Sequence, residues 1–552
     1  MFNMRVYQVW LCVFSLSIAA CKSYHRNKAH ADISGSSISK GEALSVVYCQ
    51  SCHQLPDPAL LDTRSWEKGV LPGMGPRLGI FNHGFDRYPT SEGDPNIGRG
   101  FYPSQPMLSQ EDWQHILDYY VATSPDTLPA QSRQRPIKMG LPLFKAEMPG
   151  GSGTPPGAGG GGQVPGAGVG DRAGAGWGGA MQWAGRKGVM TCLTKVDTSE
   201  GIHSLLIFDA GNKNLYRFSA ALQQIDSMHT SGAIVDVDCG PAALLACNIG
   251  VLNPNNGKYG KGQLIHKGSD GKLQLDTLPV FDQLARPVQF AAADFNRDGR
   301  TDYLVCEFGN LTGALSWMEN KGNGRYERHV IRAVPGAIKA YVNDYNHDGL
   351  PDIWALFAQG DEGIILFTNL GNGRFSEERV LTFPPEYGSS YFELADLNKD
   401  GYQDIVYTCG DNADYSPVLK PYHGIYLYMN DGHNHFSQQY FFPINGCYKA
   451  VARDFDGDGD LDIAAISFFA DYDHQPEEGF VYLENLGGLD FQPYSIPEAK
   501  LGKWLTMDVA DLDGDGRLDI VLGNFSYFSR VTRAGVDFKK GPPFIVLRNQ
   551  GK

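Results

Sequence analysis

From about residue 185 onward, apolar residues come in short runs set off by Asp, Asn and Gly rather than in long amphipathic stretches. Leu205-Leu206-Ile207-Phe208, Ile463-Ala464-Ala465-Ile466 and Ile520-Val521-Leu522 are examples. Runs this short, closed at both ends by turn residues, predict buried β-strands. Nearer the N-terminus the period is helical. Trp113, Ile116, Leu117 and Tyr120 fall at i, i+3, i+4 and i+7, behind the capping pair Ser109 and Asp112 and ahead of Pro125. That pattern predicts an amphipathic helix with defined ends. A shorter helix is expected from Ser39-x-x-Glu42, with Ala43, Val46 and Val47 following at helical spacing.

Residues 1–20 carry one positive charge, Arg5, ahead of an apolar core at 6–18, and they end Ile18-Ala19-Ala20. This is the make-up of a signal peptide and not of a helix in the mature fold. Cys21, directly after Ala20, resembles the cysteine of a bacterial lipobox. The resemblance implies that Cys21 becomes a lipid-modified first residue; plain cleavage near Ala20 is the other reading. Residues 21–37 are polar and read as a tether. The expected protein is an extracytoplasmic lipoprotein, anchored to a membrane leaflet and not spanning it.

Tyr48-Cys49-Gln50-Ser51-Cys52-His53 follows the first helix. Cys-x-x-Cys-His is the attachment signature of a c-type haem, in which two thiols add to the vinyl groups and the histidine binds iron. With a helix on either side, residues 38–128 resemble the small all-α cytochrome c fold. The resemblance implies one covalent haem c held by Cys49, Cys52 and His53. A sixth ligand is expected from Met74 or Met107. Met74 is favoured because Trp66, Val70 and Met74 resemble a stretch of cytochrome domains in some periplasmic dehydrogenases. His83 and His115 are weaker candidates, and His115 reads as packed against its helix face.

Residues 129–184 are rich in Pro and charge at first and then in Gly, and they read as a flexible linker. Beyond it five segments share one pattern: Asp294-x-Asn296-x-Asp298-Gly299-x-x-Asp302; Asp344, Asn346, Asp348, Gly349 and Asp352; Asp396, Asn398, Asp400, Gly401 and Asp404; Asp454, Asp456, Asp458, Gly459 and Asp462; Asp511, Asp513, Asp515, Gly516 and Asp519. Side-chain oxygens at positions 1, 3, 5 and 9, with the carbonyl of position 7 (Arg300, Leu350, Tyr402, Asp460, Arg517), would cage a hard cation such as Ca²⁺, and Gly at position 6 permits the turn. An EF-hand needs Glu at position 12, where Val305, Ala355, Tyr407, Ala465 and Leu522 stand instead. The loops recur at intervals of 50, 52, 58 and 57 residues, and each repeat closes on Asn-x-Gly. This combination resembles the FG-GAP or VCBS-type repeat, whose family forms β-propellers with calcium in the loops. Two weaker units precede the five, near 196–216 and 235–247. The expectation is therefore a multidomain chain: a cytochrome c domain followed by an all-β propeller of seven blades over 185–552, with about five Ca²⁺. Six or eight blades are the alternatives.

The formal net charge of −15 argues against a nucleic-acid partner. Seventeen carboxylates at the loop positions account for it, which makes it a metal inventory and not an acidic docking face. Cys247, Cys306 and Cys409 lie in apolar runs and read as buried free thiols. Three functions compete. The first is electron transfer with a redox partner protein or small-molecule donor, the propeller serving as docking module. The second is an oxidoreductase with the propeller as substrate domain, and the third is a surface binding protein.

Overall fold

The computed structural model describes residues 26–81, 94–150 and 188–551, apart from 202, 240–242, 414–415 and 528. The signal peptide, Cys21, His83 and the Gly-rich part of the linker lie outside the described residues.

The β-rich part is a seven-bladed propeller: seven sheets in ring order, each with its first strand innermost. The blades span 191–229, 234–284, 287–332, 337–382, 389–443, 447–495 and 504–549. Their inner strands are Thr191–Asp197, Ile234–Cys239, Pro287–Ala293, Ala337–Asn343, Ser389–Ala395, Cys447–Arg453 and Trp504–Ala510. Each touches the inner strand before and after it, and the last touches the first, so the ring is closed. The second strand of a blade is covered on both faces. Asp352–Phe357, Asp404–Cys409 and Asp462–Ser467 are buried at every position. This is why those strands read as continuous apolar runs and not as an alternation. An apolar cluster fills each of the seven blade-to-blade interfaces.

Part of the stretch expected to be linker belongs to the propeller. Lys138–Met139 adds a parallel strand to the outer edge of blade 6. Phe144–Glu147 pairs antiparallel with Asn549–Val546 and supplies the outermost strand of blade 7, whose own chain provides only three. A four-residue strand set between Pro142 and Pro149, with Lys145 and Glu147 inside it, gives no local signal, because its pairing partner lies four hundred residues away.

The N-terminal unit is helical. Gly35–Tyr48 packs on Gln110–Thr123, and the absent side chain of Gly41 lets the first backbone meet the carbonyl of His115 in the second. Ser109 caps the second helix as expected, its Oγ accepting from Asp112 N at 3.0 Å. The first helix starts earlier than Ser39 implied. Ser34 is its cap, accepting from Ser37 N at 3.1 Å. Between the helices a run from Thr63 to Leu78 passes through a π-turn at Trp66–Val70. No helix among the described residues is long and apolar enough to cross a membrane.

This unit rests on the propeller. Tyr422 Oη donates to Leu60 O at 2.8 Å, Asn256 Nδ2 donates to Asp94 at 2.7 Å, and Val418 packs on the helical core. Those propeller residues sit in connections between second and third strands. All five acidic loops instead connect an inner strand to a second strand. The helical unit and the acidic loops therefore occupy opposite ends of the ring.

Candidate metal and haem-binding sites

The acidic loops fold by a common hydrogen-bond scheme. The position-1 carboxylate accepts the amide of the position-6 glycine in all five, as in Gly299 to Asp294 at 2.8 Å and Gly516 to Asp511 at 2.9 Å. The position-5 carboxylate accepts the amide of position 7, as in Leu350 to Asp348 at 2.8 Å. These bonds curl the backbone so that the acidic oxygens converge. In the fourth and fifth loops the carboxylates of Asp454, Asp456 and Asp458, and of Asp511, Asp513 and Asp515, approach within 4.8 Å of one another. Asp344 Oδ1 is buried with no hydrogen-bond partner among the described residues. A buried anionic oxygen left so is costly unless a cation meets it. The donor set, all oxygen and mostly anionic, fits Ca²⁺.

Position 9 has a second role that spacing does not reveal. Asp302, Asp352, Asp404, Asp462 and Asp519 are almost wholly buried. In each, one oxygen accepts the amide of position 2 and the other that of the Asn of Asn-x-Gly; for Asp302 these are Phe295 N at 3.1 Å and Asn320 N at 2.7 Å. An oxygen holding one N–H keeps a lone pair for a cation, so the residue clamps the loop and can still face the ion. Burial raises these carboxyls above their ordinary range, Asp462 to about 6, and the aspartates at positions 1 and 5 add to the shift at Asp302 and Asp404. A bound cation would reverse the shift.

Two residues per loop adopt left-handed backbone, not one. Besides the glycine at position 6, position 4 has positive φ, and it is Arg297, His347 or Lys399 in the first three loops and Gly457 or Gly514 in the others. Arg297 and Lys399 use that geometry to reach a neighbouring loop. Arg297 Nη2 donates to Asp348 O at 2.7 Å, and Lys399 Nζ pairs with Asp460 at 2.6 Å. At position 7, the side chains of Arg300 and Arg517 fold back on Asp298 and Asp515. In the last loop Arg548 Nη1 lies 2.9 Å from Asp519 and competes there with a cation.

A further acidic group was not legible from spacing. Glu319, Glu327 and His329 meet on blade 3, where Lys321 Nζ stands 2.9 Å from Glu319 and 3.4 Å from Glu327 and already offsets one of the two negative charges.

At the other end of the ring, Cys49 follows the first helix, its amide bonded to Ser45 O at 2.8 Å. Cys49 is half-buried and Cys52 exposed, and neither forms a disulfide. Burial pushes the Cys49 thiol up to about 11. His53 Nδ1 lies 2.8 Å from the carbonyl of Gln54, which can only accept, so Nδ1 donates there and Nε2 is the ring nitrogen left to meet a metal. Val46 and Val47, on the turn before the motif, leave their side chains largely in solvent. Two free thiols, a histidine with a free ring nitrogen and adjoining exposed apolar surface fit a porphyrin. Met74 is half-buried against the helical core, whereas Met107 is exposed. His115 is held at the helix crossing by Ser37 Oγ at 2.6 Å, in keeping with a packing role. Among the other cysteines, Cys247, Cys306 and Cys409 are buried free thiols as read, joined by Cys192 and Cys447.

Residues 294–355 and 344–407 match the FG-GAP-like repeat. Each match begins at position 1 of a loop and runs through the next, so together they cover the first three loops. Among solved structures, the N-terminal domain of Nup159 is 11% identical, with 65% of this chain and 90% of that one covered and a TM-score of 0.39. Sqt1 of Saccharomyces cerevisiae is 7% identical over 66% of this chain and 97% of its own, with a TM-score of 0.40. BBS1N in complex with ARL6DN, soaked with mercury, is 10% identical over 65% and 91%, with a TM-score of 0.39. The blade number rests on the strand pairing and not on these likenesses.

Proposed function

We propose that the protein is a membrane-anchored, extracytoplasmic c-type cytochrome that exchanges electrons with a redox partner protein or small-molecule donor, and that its FG-GAP-like propeller is the docking module. The observation that carries this reading is the disposition of Cys49, Cys52 and His53, with both thiols free and Nδ1 of His53 engaged by the Gln54 carbonyl, so that Nε2 is the ring nitrogen left for iron. When bound, a haem would supply a one-electron Fe(III)/Fe(II) couple. Cys49 and Cys52 would hold it covalently, His53 would orient through its bond to Gln54, and Met74 is the favoured sixth ligand. About five Ca²⁺ in the acidic loops would brace the far end of the ring. The helical unit leaves that end uncovered for a partner. Lipidation at Cys21 would keep the assembly at a membrane surface.

The test is a reduced-minus-oxidised visible spectrum of protein made with haem-maturation machinery, beside Cys49→Ser, Met74→Ala and Met107→Ala. A low-spin α-band that needs Cys49 and is lost in Met74→Ala supports the reading. Absence of any covalent haem removes it. A high-spin spectrum indifferent to both methionines would favour a catalytic or ligand-sensing iron over a carrier.

A further inference from the structure

The five acidic loops differ at one register that lies outside the loops themselves. The residue directly before the Asn of Asn-x-Gly is Glu319, Thr368, Met429 and Glu484 in the first four repeats and Arg548 in the last. In the first repeat that residue turns to position 3 of the loop, where Asn296 Nδ2 donates to Glu319 at 3.1 Å. In the last repeat it does the same with the opposite charge. Arg548 Nη1 stands 3.8 Å from Asp513, at position 3, and 2.9 Å from Asp519, at position 9.

Arg548 is not a surface cation, for its side chain is 6% exposed. Its Nε lies 3.2 Å from Glu147 of the borrowed strand, and its Nη2 donates to the carbonyl of Ala220 in blade 1. One guanidinium thus binds the fifth loop, the strand that completes blade 7 and the neighbouring blade at once. The other cations at the loops, Arg297, Arg300, Lys399 and Arg517, are exposed. Water screens them, and their side chains are free to yield to an ion.

The consequence is clearest against the fourth loop. Both loops carry aspartate at positions 1, 3, 5 and 9, and in both the first three converge. The register residue is Glu484 in one and Arg548 in the other, a difference of two charges. Asp462 has a second donor as well, but the phenol of Tyr482 is neutral and repels no cation. On Asp519 Oδ2 the amide of Leu512 and the guanidinium take both lone pairs. A calcium ion entering the fifth loop has to work against a fixed, buried positive charge or displace it. We propose, resting on the calcium reading of the loops, that Arg548 stands in for calcium in the fifth loop. That loop is then the low-affinity site of the five, and the seam between blades 7 and 1 stays closed when calcium is lost.

Calorimetric titration of the full-length calcium-free protein with Ca²⁺ should resolve four sites and a fifth at least tenfold weaker, since ligand charge tunes such loops. Deuterium exchange in chelator should quicken in Asp462–Ser467 and leave Phe544–Asn549 protected. Arg548→Met, which places there the residue type of the third repeat, should tighten the fifth site about tenfold or more and make protection of Phe544–Asn549 depend on Ca²⁺. Should that variant fail to fold, Asp456→Asn and Asp513→Asn decide, because position 3 is Asn in the first three loops. The former should weaken one of the four tight sites, and the latter should abolish the weak site alone. Five sites of equal affinity, a weak site that survives Asp513→Asn, or exchange in Phe544–Asn549 that follows calcium in the unaltered protein would each overturn the role of Arg548 and leave the calcium reading standing. No calcium binding at any loop would remove both.

Discussion

Asn549 Nδ2 donates to the carbonyl of Phe455 at 2.7 Å, although Asn549 ends blade 7 and Phe455 lies in the acidic loop of blade 6. The same relation joins Asn369 of blade 4 to Phe295 of blade 3 at 3.0 Å. In all five repeats the Asn of Asn-x-Gly also bonds the position-8 carbonyl of its own loop and accepts the amide of its glycine, as in Gly551 to Asn549 at 2.9 Å. One short side chain therefore ties a loop, a turn and, at these two positions, the neighbouring blade. Asn549→Ala leaves several buried polar groups unpaired and should cost about 2 kcal/mol or more, since each such group costs roughly 1–3 kcal/mol. Chemical denaturation of the variant would show it, and an unchanged midpoint would contradict the role.

Calcium should act through the loops as a folded-state ligand. At a hundredfold excess over Kd each occupied site adds about 2.7 kcal/mol, and chelation should lower the melting temperature accordingly. Asp458→Ala, a change at a position-5 residue bonded mainly within its own loop, should blunt the response to Ca²⁺ with little effect in chelator. Asp462→Ala should destabilise in both conditions, because both oxygens of Asp462 also hold backbone amides and Tyr482 Oη donates to it at 2.6 Å. Melting curves of the two variants with and without Ca²⁺ separate a ligand from a clamp.

Closure of the ring by Phe144–Glu147 makes blade 7 depend on chain upstream of blade 1. Phe144 packs edge-on against Phe455 and Tyr482, with ring centroids at 5.7 and 5.8 Å. Phe144→Ala should cost about 3–5 kcal/mol, as for other buried Phe truncations. Deuterium exchange should rise first in Phe544–Asn549, the strand left at the edge. Uniform exchange across all blades would mean that the ring closes without this strand.

Glu386 lies in the connection beneath the helical unit, 7% exposed, with one carboxylate oxygen lacking a hydrogen-bond partner. Burial raises its pKa from 4.5 to about 7; Lys420 opposes the shift and Asp57 of the helical unit adds to it. The folded state thus favours the neutral acid. That stability is fully present below pH 4.5 and is lost as the pH rises through about 7. The loss amounts to roughly 3 kcal/mol by linkage. Glu386→Gln should remove most of this slope between pH 5 and 8, measured by denaturant titration at each pH. Equal slopes in the two proteins would assign the dependence to another group, such as Glu362.

Much of this architecture is written locally. The acidic loops, the buried second strands, the helix ending near Pro125 and the total of seven blades follow from spacing within a few tens of residues, because turn chemistry and burial on both faces act at that range. Cys49, Cys52 and His53 form a local motif as well, set in five consecutive positions of the chain. What tertiary structure alone decided is non-local. The last blade borrows Phe144–Glu147 from upstream, Asn549 reaches into another blade's loop, and the position-9 carboxylates serve backbone amides from two directions. The helical unit sits opposite the acidic loops through Tyr422 and Leu60, residues 362 positions apart. Pairing partners this distant leave no periodic trace in the chain, because each side of such a contact is chosen by the other and not by its neighbours in sequence.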